Sequence, residues 1–261
     1  MGEKKLVNLT VDDGVAIIII DNPPLNVLNK EVVACLNSCL EEIEKDKTIV
    51  SVVVTGTGER AFMAGADIKE FLELNAPGEA AELSNNNHWV FSRLADLPQP
   101  TIAALNGLAY GGGCELTLCC DLRVAEEDVK IALPEINLGL FPGGGGTQRL
   151  SRLIGSSRAK EMMFFGEPLG AQEALKLGLV NKVVSKGEAL NKSVELAKKL
   201  TTKAGKALQA IKQAVDQGTE QSIANGLTLE IKLFDNVFQT EDVKEGVNAF
   251  LEKRGANFKH R

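Results

Sequence analysis

The sequence predicts an α/β protein whose C-terminal quarter is wholly helical, and three observations carry that expectation. Short β-branched runs recur through the first 185 residues, helical patterns separate them, and glycines collect where one pattern gives way to the other. Taken in order, residues 15–20, 49–55, 101–105, 122–125 and 180–184 are apolar runs of strand length, as strands covered on both faces require. Between the first two, Val32, Leu36, Leu40 and Ile43 follow one another at helical spacing and paint one apolar stripe on a helix over 29–45. Strand, helix, strand is the α/β signature. Beyond residue 187 only helical patterns remain, over 188–202, 204–217, 220–234 and 241–253. Two regions result: 1–185, an α/β core with the candidate site, and 186–261, a helical cap or oligomerisation region. No low-complexity linker separates them, so the tail is expected to pack on the core or on a neighbouring subunit.

Composition narrows the function. A chain of 261 residues, 44% hydrophobic and 25% charged, is long enough to bury roughly three quarters of its unfolded surface. Its 29 Lys and Arg against 35 Asp and Glu leave a net charge of −6 with no basic tract. An extended polyanion is therefore not the expected partner, and no nucleic acid is anticipated. The two histidines, His88 and His260, are too few and too far apart for a His-rich metal site or a Ser–His nucleophile. Chemistry then rests on carboxylates and backbone. Cys35, Cys39, Cys114, Cys119 and Cys120 are odd in number and lack CxxC spacing, which predicts buried free thiols in a reducing, cytoplasmic setting. Met1-Gly2-Glu3-Lys4-Lys5 runs into a strand pattern without a signal-peptide core, and Leu6 stands where myristoylation wants Ser or Thr. The longest apolar strand run is far short of the roughly 18 residues of a membrane span, so no membrane partner is expected.

Three glycine-rich segments carry the chemistry. Glycine admits positive φ and lets a ligand approach the main chain, although turns and tight packing are its commoner uses. In Ala61-Phe-Met-Ala-Gly-Ala-Asp67-Ile-Lys-Glu70, Asp67 with Glu70 three residues on resembles a capping box. Asp67 is then structural, and Ala66 lies just before a helix start, where an amide can be free. In Asn106-Gly-Leu-Ala-Tyr-Gly-Gly-Gly-Cys-Glu115, a helix beginning near Gly112 turns its unpaired amides and positive dipole end toward the glycines, suited to a developing oxyanion. Glu115 rises on the same face. A first-turn carboxylate also steadies the dipole with no further role, and this segment does not decide between the two. The spacing fits neither a P-loop nor a dinucleotide fingerprint. In Leu133-Pro-Glu135-Ile-Asn-Leu-Gly-Leu-Phe-Pro142-Gly-Gly-Gly-Gly, Glu135 sits among apolar neighbours, where desolvation raises a carboxyl pKa; a loop glutamate facing water is the alternative. Two glutamates near glycine amides make a constellation for adding or removing water beside a carbonyl.

The segments AFMAGADIKEF, NGLAYGGGCELTLCCD and LPEINLGLFPGGGGTQRL, in this order, resemble the signature of the crotonase (enoyl-CoA hydratase/isomerase) superfamily, and the likeness extends over essentially the whole chain. The resemblance implies a crotonase-type ββα spiral core with a C-terminal helical region, assembled as homotrimers or as hexamers of paired trimers. It implies that Ala66 and Gly112 donate the two amides of an oxyanion hole, that Glu115 and Glu135 are the catalytic carboxylates, and that the Gly143 amide helps hold the catalytic water. A CoA thioester would lie along Ala64, Ala66, Asp67, Ile68, Lys69, Gly112 and Gly143, its adenine against the main chain at 66–68. Arg60 and Lys253 would supply charge near its phosphates, unless they are plain surface cations. No cofactor is implied, because CoA arrives as part of the substrate.

The implied reaction is reversible hydration of a 2-enoyl-CoA, with Glu115 mainly activating the water and Glu135 delivering the α-proton. Each oxyanion donor would contribute roughly 3–4 kcal/mol. A double-bond isomerase of the same family needs one carboxylate, and the presence of both disfavours it. An RNA-binding role is disfavoured by the acidic balance. Departures from the family pattern are IALPE for FGQPE, Phe141 in GLFPGGGG, and the compact NPPLNVL loop. The stretch 71–89 is expected to shape the acyl pocket.

Overall fold

A computed structural model describes residues 5–260, so the expectations concerning Met1–Lys4 lie outside the described residues. In chain order the first elements are β1 (Val7–Asp12), β2 (Val15–Ile20), α1 (Lys30–Lys45), β3 (Ser51–Gly56), β4 (Ala61–Ala64), α2 (Ile68–Phe71) and α3 (Glu79–Ala95). There follow β5 (Thr101–Leu105), β6 (Leu108–Tyr110), α4 (Gly112–Thr117), β7 (Leu122–Glu126) and β8 (Lys130–Ala132), then a 3₁₀ turn at Glu135–Leu138. The remainder is α5 (Gly146–Ile154), α6 (Ser156–Phe165), β9 (Leu169–Gly170), α7 (Ala171–Lys176), β10 (Lys182–Val184), α8 (Ala189–Thr201), α9 (Gly205–Thr219), α10 (Ile223–Phe238) and α11 (Glu241–Leu251).

The strands form two sheets, ordered β1-β2-β3-β5-β7-β10 and β4-β6-β8-β9. The chain crosses from one to the other in each of three successive turns, β3 to β4, β5 to β6 and β7 to β8, with a helical segment after each pair. This is the repeated ββα spiral. Pairing is parallel except at the outer pairs β1–β2 and β8–β9.

The continuous apolar runs now have their reason. Successive strand residues point to opposite faces, and both faces of the larger sheet are covered. Val52, Val54, Ala103 and Leu105 join one cluster with Leu36, Leu40 and Ile43 of α1 and Phe91 and Leu94 of α3. Val53, Ile102, Ala104 and Val124 join another with Ala189 and Ala197 of α8. The first helix of the C-terminal region thus closes the second face of the sheet, and Ser51 Oγ donates to Ala197 O at 3.2 Å. By contrast α9 and α10 pack on each other and leave Ile211, Ile223, Ile231 and Phe234 more than half exposed. Buried Arg123 fixes the far end of α4: it donates from Nε to Leu179 O at 2.7 Å and from Nη1 to Thr117 O at 3.1 Å. The Thr117 carbonyl lies at the C-terminal end of α4, the end of the dipole that favours a cation. All five cysteines are free, four of them buried. Among the described residues no helix is long and apolar enough to cross a membrane.

Candidate active site

The smaller sheet builds the site. β4, β6 and β8 are adjacent and parallel, so the segments leaving their C-terminal ends emerge side by side, carrying Ala66, Gly112 and Glu135. The crevice beyond the carboxyl ends of parallel strands is where open α/β sheets hold ligands.

The NPPLNVL loop docks beside the first of these segments. Ala64 N–H donates to Leu25 O at 3.0 Å, Leu28 N–H to Gly65 O at 2.8 Å, and Asp67 N–H to Leu28 O at 2.8 Å. Leu28 and Ala66 form a parallel bridge, and in such pairing alternate residues face opposite edges. The Ala66 N–H therefore turns away from the loop. It has no acceptor among the described residues, and Ala66 borders the central cavity. The capping box is only half formed: Asp67 Oδ1 accepts from Lys69 N–H at 3.1 Å, but Glu70 Oε1 reaches across to Lys30 N–H at 3.1 Å. The α2 helix is one turn long, so Glu70 serves the neighbouring helix α1 instead of its own N-terminus.

At the second segment, Gly111 N–H donates to Ala132 O, and Glu115 N–H donates to Gly111 O to open α4, both at 2.9 Å. Gly112 is the first residue of α4, and its N–H has no acceptor among the described residues, as for any first-turn amide. Glycine is required next to it: a Cβ on Gly113 would lie 2.0 Å from Met63 O, so α4 reaches β4 only without a side chain there.

Glu115 is 3% exposed. Its Oε1 accepts from Gly144 N–H at 2.7 Å and from Gly146 N–H at 2.8 Å. Burial pushes its pKa up, and the two N–H donors oppose that shift by favouring the charged form. A Cβ on Gly144 would stand 2.4 Å from Glu115 Oε2, which explains glycine at that position of the loop. Glu135 is half-buried at the start of the 3₁₀ turn. Its Oε2 is buried without a partner among the described residues. Burial, with the Glu115 charge adding to it, pushes its pKa up to about 7. The two carboxylates thus occupy unequal environments: Glu115 is held by two loop amides, whereas Glu135 leaves one buried oxygen without a partner among the described residues.

Both border one cavity of about 480 Å³ with Ala66, Gly112, Gly143 and Gly144. Its remaining wall is mostly apolar, with Leu28, Phe71, Phe91 and Phe141 among its residues, and Ser84, Asn87 and Tyr110 add polar groups. Of the sequence-predicted residues, Ala64, Ala66, Ile68, Gly112, Glu115, Glu135 and Gly143 come together there. Asp67 is occupied as a cap, while Arg60, Lys69 and Lys253 are exposed and do not border the cavity. Sequence reasoning missed Gly144 and Gly146 as donors to Glu115; the only signal was the GGGG run itself. It also missed Tyr110 and the helical character of 79–95, whose apolar stripe is short and carries Val90, Phe91 and Leu94 at its end.

Two carboxylates and two main-chain N–H groups without acceptors among the described residues, all on residues bordering one mostly apolar cavity, define a site for acid–base chemistry on a carbonyl compound that passes through an oxyanion. The chain belongs to the enoyl-CoA hydratase/isomerase family, whose model matches residues 10–261. It is 43% identical over 241 residues to a short-chain-enoyl-CoA hydratase of Clostridium acetobutylicum, covering 92% of each chain. With a crotonyl-CoA hydratase of Syntrophomonas wolfei it shares 39% identity over 251 residues, 96% of each. Among solved structures, an enoyl-CoA hydratase from Bacillus anthracis superposes with a TM-score of 0.94 at 36% identity, covering 98% of this chain and all of that one.

Proposed function

We propose that this protein is an enoyl-CoA hydratase, adding water reversibly across the double bond of a 2-enoyl-CoA thioester. The observation that carries the reading is the meeting of Glu115, Glu135, Ala66 and Gly112 on one cavity. As water attacks the β-carbon, the carbon–carbon π electrons move toward the carbonyl and leave an enolate on the thioester oxygen. The N–H groups of Ala66 and Gly112 are free to receive that charge. Glu115, whose carboxylate accepts from two amides that favour its charged form, takes the proton of the attacking water. Glu135, whose raised pKa lets it hold a proton near neutrality, delivers that proton to the α-carbon. Water has then added as hydroxyl and hydrogen: Glu135 has given up one proton to carbon and Glu115 has gained one from water, so the pair still holds a single proton. The reaction as written uses no resident cofactor; CoA enters with the acyl group.

Ala64, Asp67, Ile68 and Lys69 line the approach assigned to the CoA moiety, Gly143 holds the water, and Arg60 and Lys253 supply charge for phosphates at the exposed rim. The apolar residues left bare on α9 and α10 support assembly into homotrimers or hexamers, which light scattering of the purified protein reads directly. Free thiols throughout support a cytoplasmic location.

The deciding experiment incubates the protein with a panel of 2-enoyl- and 3-enoyl-CoA esters and separates the products by mass and chromatography. Gain of one water from the 2-enoyl esters supports the reading; unchanged mass with a shifted double bond from the 3-enoyl esters would replace it by isomerisation. Ala66→Pro, which deletes one oxyanion donor without disturbing a bond the N–H makes, is expected to lower kcat about 10²–10³-fold. Wild-type rates in a folded Ala66→Pro protein would remove Ala66 from that role.

A further inference from the structure

The glycine loop that holds Glu115 is itself held from the other side. Ser84 Oγ donates to Gly143 O at 2.6 Å, and His88 Nε2 stands 2.7 Å from the same oxygen. Because the acceptor is a carbonyl, Nε2 must carry the proton. The two residues are four apart on α3 and so share one face of the helix.

The geometry of a peptide unit turns this contact into a device. Gly143 C=O and Gly144 N–H belong to one planar trans peptide and point in opposite directions. Two donors on α3 grip its oxygen, and its nitrogen donates to Glu115 Oε1 at 2.7 Å. Fixing one end of that plane fixes the other, and polarising the carbonyl strengthens the N–H as a donor. Meanwhile α3 also contributes Leu83, Asn87 and Phe91 to the wall of the cavity.

We propose that Ser84 and His88 are positioning residues for Glu115: they lock the Gly143–Gly144 peptide so that its N–H stays aimed at the carboxylate, and they couple the acyl-facing helix to the base that activates water. The kinetic part of this inference rests on the hydratase reading, whereas the structural part does not.

The test compares wild type with Ser84→Ala/His88→Ala and with Ser84→Ala/His88→Gln, in which a side-chain amide can donate to the same carbonyl. With a short 2-enoyl-CoA, the double alanine variant is expected to lose about 10- to 100-fold in kcat, as misplacement of a catalytic group does, with KM changed less than about twofold. The glutamine variant is expected to recover most of that loss. Equal kcat in the double alanine variant, or a loss that glutamine does not repair, overturns the proposal. A second readout is independent of turnover: the ¹³C carboxyl titration of Glu115, assigned by its disappearance in Glu115→Gln. It is read in Ser84→Ala, where loosening the N–H donors is expected to move the midpoint upward, since they favour the charged form, and where His88, whose charge also lowers the Glu115 pKa, stays in place. An unmoved midpoint overturns the proposal even if kcat falls. Should the wild type hydrate none of the enoyl-CoA esters, the hydratase reading fails while this titration still judges the clamp. The single variants, each keeping one bond, are expected to fall between wild type and the double variant, and serve if the double variant does not fold.

Discussion

Glu115→Gln is expected to reduce hydration of a 2-enoyl-CoA by about 10²–10⁴-fold, the range that loss of a general base commands, while the protein keeps its fold. The amide is nearly isosteric, and its Oε1 can still accept from Gly144 and Gly146, the two bonds that tie the glycine loop to α4. It cannot take a proton from water. The buried site already penalises negative charge, because burial raises the Glu115 pKa, so a neutral side chain there removes a cost of folding instead of adding one. A melting curve close to that of the wild type, alongside initial rates, separates the two effects. Undiminished turnover in the folded variant would take Glu115 out of the reaction, and a collapsed melting temperature would mean that the charge itself holds the loop.

What could be read from the residues depended on how far each signal reached along the chain. The strands of the larger sheet announce themselves because β2, β3 and β5 are covered on both faces, by α1 and α3 on one side and α8 on the other, and so are largely apolar. Those of the smaller sheet do not. β4, β6 and β8 are three or four residues long and are followed within two residues by glycine or proline, too short for a period to show. The tail helices were legible to within a few residues; α10 runs on to Phe238 and is capped by Ser222, whose Oγ accepts from Asn225 N–H. At the site, the motif residues were legible but not what lies behind them. Nothing in the spacing of Glu115 and Gly144 reveals that a carboxylate 29 positions upstream will take the amide of a loop glycine. His88, set aside as one of two histidines too few and too far apart for a metal site, makes its contact with Gly143 across 55 residues. Such contacts are fixed by the crossing of α3 over the 142–146 loop, a tertiary property.

Glu135→Gln is expected to cost a similar 10²–10⁴-fold and, unlike Glu115→Gln, to erase the alkaline limb of the pH profile. Hydration begins with Glu115 ionised and Glu135 protonated; dehydration begins with the proton on the other member of the pair. These are two arrangements of one proton, so both directions need the pair singly protonated and must share one pH dependence, as the pH-independent equilibrium of hydration also demands. The last proton of a coupled pair leaves with a value belonging to the pair, and the raised Glu135 places it at about 7. The rate, kcat/KM, should therefore fall in both directions as pH rises through about 7, and the residual rate of Glu135→Gln should show no such fall. Stability moves with the opposite consequence for the two proteins. A carboxyl at about 7 in the folded chain against an ordinary 4.5 means that, between those values, the unfolded state ionises while the folded state stays neutral, and wild-type stability drops as pH climbs through that window. The glutamine variant has no such group, so its melting temperature should gain on the wild type from pH 5 to pH 8. A parallel pH dependence of the two melting curves would show that Glu135 is not held in its raised state by the fold, and the assignment of the proton donor would fall with it.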